Sequence, residues 1–322
     1  MFNQVIVDQL SQVDLFLKEE LKKESTAASS SYMSYVMETK GKLIRPSLLL
    51  LSAQAIGGKK SNSKELIKAS AGLELIHIAS LIHDDIIDEA DFRRDKPTVV
   101  KKFGIQPALI LGIQFYAIAL KWLSSLEIWN VMQTVSKAVQ SMCEGEFIQF
   151  QNRYRFTLAQ DIYFDILKHK TADLFSASCL VGGYLAKANA HQCENLKQFG
   201  YHLGMLFQLT DDYLDMIDPD HELKKETHQD FKTGQFTLPM VLLLNTQPLK
   251  DREAFFNQIS ALSLTELKTL MVEYKVDEKL YEKVMYYKKK SIEILSTFQE
   301  NEFSKSLFFK AVLNINNTLA PD

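Results

Sequence analysis

The chain has 322 residues, 46% hydrophobic and 24% charged, and a net charge of −3 at pH 7. That is ordinary globular composition, and the near balance of charges excludes the basic surface that nucleic-acid binding needs. Three scattered cysteines, Cys143, Cys179 and Cys193, have no CxxC spacing, which excludes a disulfide framework and fits a reducing, cytoplasmic setting.

Length alone would suggest about two domains, but only 12 glycines and 7 prolines punctuate the chain and no strand–turn alternation is visible. Long helices need few such breaks, so one all-helical domain over residues 1–322 is expected. MFNQVIVDQL, at the start, has neither a basic region nor a long apolar core, so no signal peptide is expected. Apolar positions Val5, Ile6, Leu10, Val13, Leu17 and Leu21 predict an amphipathic helix over 2–23. STAASSS (25–31) reads as a loop, and the basic stretch KGKLIRP (40–46) follows. Pro46 suits the first turn of a helix running through SLLLLSAQA, and Gly57-Gly58 suits its end. Asn62 and Glu65 have the spacing of a capping box that opens the next helix.

That next helix contains LELIHIASLIHDDIIDEADFRR (73–94), an apolar run that ends in carboxylates. Asp84 and Asp88 are four apart and share a helix face, and Asp85 lies about 100° round from Asp84. Carboxylates sit badly at the negative end of a helix dipole and lose hydration against an apolar helix, so a cation should offset them.

RRDKPTVVKKFG then reads as a basic loop. Pro107 starts ALILGIQFYAIALKWL, the longest apolar run; it is too short and interrupted for a membrane span and is read as a helix buried nearly all round. Residues 126–152 and 160–190 carry further helical patterns, the second with Lys168 and Lys170-Thr171. Residues 204–218, GMLFQLTDDYLDMID, repeat the earlier design: an apolar helix ending in Asp211, Asp212 and Asp215. The polar stretch DPDHELKKETHQDFKTGQ lacks apolar periodicity and reads as a lid, an active-site loop or a connector. Residues 236–322 are helical and amphipathic, with Lys288, Lys289 and Lys290 on a solvated face.

One acidic cluster at a helix end could be surface punctuation. Two are a repeated local violation of helix electrostatics, the mark of a functional site. Facing each other, they suit magnesium, which takes one or two protein carboxylates and completes its shell with water and substrate phosphate. Phosphate oxygens also want cations, and the candidates are Lys42, Arg45, Arg93, Arg94, Lys170 and Lys225. Taken singly, each is more ordinarily a solvated charge. His77, seven before Asp84 on the same face, is either a core histidine or a ligand.

HDDIIDEADFRRDKPT, the DDYLD preceded by FQ, KTA at 170–172 and GQFTLP at 234–239 together resemble the trans-isoprenyl diphosphate synthase, or polyprenyl synthetase, family, in that family's order and over about residues 40–244. The resemblance implies an all-α single bundle around a deep central cavity, usually dimeric. It implies Mg²⁺-dependent, head-to-tail condensation of isopentenyl diphosphate with an allylic diphosphate. By the same resemblance, Asp84, Asp85, Asp88, Asp211 and Asp212 would hold the magnesium ions, with Asp215 in support. Arg93, Lys170 and Lys225 would clamp the allylic diphosphate. Lys42, Arg45, His77 and Arg94 would hold isopentenyl diphosphate, and Thr171 and Gln208 would line the reacting carbons. In the family a bulky aromatic just before the first aspartate motif stops elongation early. Ala79 and Ser80 are small here, so a medium- or long-chain product beyond C20 is expected.

The chain departs from the family pattern at Lys40 and Leu43 (a glycine and an arginine), Val100 (a histidine), Ile113 (an aspartate) and Gln235 (a lysine). Four alternatives follow: a non-catalytic or regulatory subunit of a heteromeric synthase, a shorter-chain farnesyl or geranylgeranyl synthase, a terpene cyclase, or a helical calcium-binding or scaffold protein. The cyclase needs no isopentenyl site, and the scaffold explains neither Arg93-Arg94 nor KTA. A homodimer is expected, with room for a small second subunit.

Overall fold

The structure, a computed structural model, describes residues 4–39, 41–57, 63–93, 96–217 and 234–298. Its architecture is all-α. Helix α1 (Gln4–Glu24) buries Ile6, Val13, Leu17 and Leu21, the stripe that its period predicts, while Val5 is exposed. After the turn at 27–29 comes α2 (Ser30–Met37). Helix α3 (Ile44–Gly57) carries Pro46 in its first turn and is buried continuously from Arg45 to Gln54. Helix α4 (Ser63–Ile87) runs beside it; the Asn62 half of the expected capping box lies outside the described residues.

Arg93 and residues 96–97 and 99–103, expected in a basic loop, fall in regular elements. Two-residue strands β1 (Phe92–Arg93) and β2 (Lys96–Pro97) pair antiparallel, Phe92 opposite Pro97 and Arg93 opposite Lys96. Thr98 then caps a short helix, α5 (Val99–Phe103), by accepting from the Lys101 N–H at 3.1 Å. The Tyr35 hydroxyl donates to the Pro97 carbonyl at 2.6 Å and ties this hairpin to α2.

Helix α6 (Ile105–Ser124) is not buried all round. Leu111, Phe115, Ile118 and Leu123 face inward against α4, its main packing partner, whereas Leu109, Ile110, Ile113 and Leu120 are exposed. The helices buried on every side are α3 and α9 (Asp173–Leu185), which cross at Gly182: a Cβ there would lie 2.2 Å from the Leu49 carbonyl oxygen. By length and composition α4 and α6 could each cross a membrane, but 72% of the apolar α4 window is buried inside the protein, against 44% for α6.

Helices α7 (Trp129–Gln151) and α8 (Gln160–Leu167) follow, and then the helical run breaks into a π-helical turn, Lys168–Ala172, before α9. Helix α10 (Ala190–Ile217) packs along α9. The chain continues with α11 (Leu238–Leu244), α12 (Arg252–Ile259), α13 (Leu264–Glu273) and α14 (Val276–Leu295); Ser263 and Glu266 form a reciprocal capping box at the start of α13. One continuous apolar core joins α1, α3, α4, α6, α9 and α10.

Candidate active site

The C-terminal turn of α4 and the C-terminal part of α10 open on one cavity of about 460 Å³, a size that suits a small-molecule site. Asp84 and Asp85 line it from α4, Asp88 from just beyond that helix, and Asp211 and Asp212 from α10. Lys42, Arg45, His77 and Arg93 line it as well, with Lys170, Thr171 and Gln208 from the π-helical turn and α10. Ser80 lies on the cavity wall, together with Leu81, Met142, Leu174 and Phe207. Ala79 is fully buried and is not part of that lining, since a residue 100° round from Ser80 points into the helix packing. Arg94 and Lys225 lie outside the described residues, as does the Asp215 side chain.

Most of the carboxylates have assigned partners. Arg93 returns along β1 and brings both Nε (2.9 Å) and Nη2 (2.8 Å) to Oδ1 of the buried Asp85. Asp212 accepts from the Tyr163 hydroxyl on one oxygen and from Gln208 Nε2 (2.8 Å) on the other. Gln208 is oriented in turn by the Thr171 hydroxyl, which donates to its Oε1 at 2.8 Å. Lys170 donates to Glu146 at 2.6 Å and to Gln149 Oε1 at 2.5 Å. Arg45 Nη1 lies 2.9 Å from His77 Nε2, and the same guanidinium lies 5.0 Å over the Phe175 ring.

Asp84 is the exception. Loss of hydration raises its carboxyl to about 7, and Glu146 and Asp88 push in the same direction against Lys170 and Arg93. Burial alone would lower Lys170, but Asp84 and Glu146 raise it overall, so it stays protonated. Among the described residues, Asp84 thus carries an acid excess that Lys170 and Arg93 do not offset.

That excess fits a divalent cation. Among the described residues no three carboxylate, histidine or cysteine groups converge closely enough to hold an ion by themselves. The donor set is instead carboxylates carried by two separate helices around one cavity, which suits a metal that brings water and a phosphate with it. Glu146, Gln149, Arg153 and Tyr163 belong to this constellation and were not singled out from the sequence. Glu146 and Gln149, one helical turn apart beside Gly145, offered a polar i, i+3 pair on an otherwise mixed helix; for Tyr163 no sequence signal existed.

The polyprenyl synthetase family model matches residues 27–273. Heptaprenyl diphosphate synthase component 2 from Geobacillus stearothermophilus is 32% identical over 243 residues, covering 76% of this chain and 75% of that protein. A geranylgeranyl diphosphate synthase from Methanosarcina mazei is 32% identical over 241 residues, with 73% and 74% covered. The crystal structure of heptaprenyl diphosphate synthase from Staphylococcus aureus superposes with a TM-score of 0.83 at 26% identity, over 96% of this chain and 98% of that one. The match across most of the chain, on a fold with both acidic helices opening on one cavity, establishes that this protein belongs to the polyprenyl synthetase family and is a trans-isoprenyl diphosphate synthase.

Proposed function

We propose that the protein condenses isopentenyl diphosphate with an allylic diphosphate, head to tail and with magnesium, to a trans-polyprenyl diphosphate longer than C20. The observation that carries this reading is one cavity lined by Asp84, Asp85, Asp88, Asp211 and Asp212, by the cations Lys42, Arg45, Arg93 and Lys170, and by the apolar Leu81, Met142, Leu174 and Phe207.

Asp84, Asp85, Asp88, Asp211 and Asp212 would hold magnesium, with Asp215 in support. Bound there, the metal supplies positive charge to the departing diphosphate. Lys170 and Arg93 stabilise the same charge, Lys225 being assigned to that clamp by the family resemblance alone. Arg45, His77 and Lys42, with Arg94 by resemblance, hold the second diphosphate. The allylic C–O bond breaks, the double bond of isopentenyl diphosphate forms the new C–C bond, and the proton lost from the resulting cation passes to the released diphosphate. The side chains of Leu81, Met142, Leu174 and Phe207 keep water from the cation. Thr171 and Gln208, locked to each other and to Asp212, fix the polar edge against which the reacting carbons lie.

Ser80, a small side chain in the cavity lining one helical turn before Asp84, supports a product beyond C20; relatives named for heptaprenyl and octaprenyl products agree, while one named for geranylgeranyl diphosphate marks the shorter alternative. One domain, a cytoplasmic location and a homodimer complete the reading. A second subunit is the competing assembly, favoured by the likeness to a protein named component 2. Incubation with Mg²⁺, farnesyl diphosphate and labelled isopentenyl diphosphate, with chain-length analysis of the products, tests the proposal. Products longer than C20 support it. No incorporation by the purified chain turns the reading towards the subunit.

A further inference from the structure

Asp88, just beyond the end of α4, is held by residues outside both acidic motifs. Its Oδ1 accepts from Gln235 Nε2 at 2.6 Å and from Arg153 Nη2 at 3.1 Å. Gln235 is the last member of a one-way chain: Lys170 Nζ donates to Gln149 Oε1 (2.5 Å), Gln149 Nε2 to Gln235 Oε1 (2.5 Å), and Gln235 Nε2 to Asp88. Each amide has a single orientation compatible with its neighbours. The chain delivers a dipole to Asp88 but no charge. Among the described residues Arg153 is the only cation within ion-pair distance of Asp88.

The site around Arg153 is built. Nη2 also donates to the Ile87 carbonyl at 3.3 Å, so the guanidinium sits at the negative end of α4. Its Nε is buried without a hydrogen-bond partner, and the Phe150 ring lies 5.5 Å from the guanidinium carbon. The backbone that carries it is fixed: the Tyr154 N–H donates to the Gly234 carbonyl at 2.9 Å, and a Cβ on Gly234 would lie 2.5 Å from the Tyr154 ring. Residues 153 and 235 are thus clamped side by side on the same carboxylate oxygen, and among the described residues Oδ2 of Asp88 is left for a cation.

We propose that Arg153 is a positioning residue for allylic diphosphate binding, supplying at Asp88 the positive charge that the neutral Gln235 does not. The inference rests on the reading of the acidic mouth as the magnesium–diphosphate site. It acts through Asp88, so it should govern the metal-held diphosphate and spare the isopentenyl diphosphate held by Arg45 and His77.

The test compares the full-length protein with Arg153→Met, Arg153→Lys and Arg153→Met combined with Gln235→Lys. Binding of inorganic pyrophosphate with Mg²⁺ is measured by calorimetry, and KM is measured for each substrate. Loss of one charge-assisted bond should weaken Mg²⁺–pyrophosphate binding and raise the allylic KM by about tenfold in Arg153→Met, with the isopentenyl KM within about twofold. Arg153→Lys should recover part of this, and Gln235→Lys should rescue the methionine variant by returning the charge to the same oxygen. Wild-type affinity in Arg153→Met, an equal rise in both KM values, or a failed rescue in variants whose melting temperature is unchanged would overturn the role. Should Arg153→Met fail to fold, Arg153→Lys decides by the same two readouts. A wild-type protein that binds no Mg²⁺–pyrophosphate would instead overturn the reading of the site.

Discussion

At the scale of single residues the site is defined by how its carboxylates are compensated. Asp85 and Asp212 are satisfied, one by Arg93 and the other by Tyr163 and Gln208. Asp84 is not, and its carboxyl lies near 7 because desolvation outweighs Lys170 and Arg93. A carboxyl raised in the folded state favours folding fully below its unfolded value near 4, and that contribution is lost as pH rises through about 7. In the presence of EDTA, Asp84→Asn should therefore melt higher than the wild type at pH 8, and the difference should vanish towards pH 4. Differential scanning fluorimetry across that range measures it, and a difference independent of pH would contradict the assignment. Ser80 sets the opposite test, in the well rather than at the mouth. Ser80→Phe puts an aromatic ring into the lining below Asp84 and should shorten the product, as read by mass analysis; unchanged products would remove Ser80 from length control. The aspartates were legible in the sequence because each motif lies within one helical turn. Their holders were not, because the contacts join distant positions: Tyr163 and Asp212 are 49 residues apart, and Gln235 and Asp88 are 147 apart.

At the scale of elements, the period of apolar residues located the helices but not their breaks. Residues 160–190 read as one helical pattern because the π-helical turn at Lys168–Ala172 keeps apolar Leu167 and Ala172 facing inward on either side of it. Lys170 and Thr171 of that turn line the cavity together with Tyr163, Ile166, Leu167 and Leu174 on either side of it. Two glycines let neighbouring helices close on it. A Cβ on Gly145 of α7 would lie 2.9 Å from His169 Cβ and 3.0 Å from the Lys170 backbone nitrogen, and one on Gly204 of α10 would lie 2.6 Å from Ala172 Cα. Backbone cannot swing aside as a side chain can, so Gly204→Ala must push α10 away from the turn and stretch the 2.8 Å Thr171–Gln208 bond. Overpacking of this kind costs about 1–3 kcal/mol, and turnover should fall with it. Gly57→Ala is the control, because its Cβ would meet Ala186 at an ordinary 3.5 Å. It should leave melting temperature and activity near the wild-type values. Equal effects of the two substitutions would show that the close approach at the turn does not matter.

At the scale of the whole molecule the unsatisfied feature is α6. Its apolar residues run round the helix, and the described residues leave Leu109 47%, Ile110 64%, Ile113 56% and Leu120 36% exposed. These positions, with spacings of one, three and seven residues, lie along one side of the helix, and a second copy of the same side would cover them by two-fold symmetry. Burying one isoleucine is worth about 1.5–3 kcal/mol. Ile110 and Ile113, 64% and 56% exposed, would on both subunits of a pair thus contribute about 3.5–7 kcal/mol together, or at least two powers of ten in the dissociation constant. Replacing both with glutamate removes that term and sets four carboxylates against an apolar face. Light scattering on the eluting protein should give the mass of two chains for the wild type and one for Ile110→Glu/Ile113→Glu. The inner face of the same helix supports α4, the carrier of Asp84 and Asp85, so the monomeric variant should also turn over more slowly while keeping its helical circular dichroism. A wild type that elutes as a single chain, or a double variant that remains a pair, would mean that something other than a second copy covers α6.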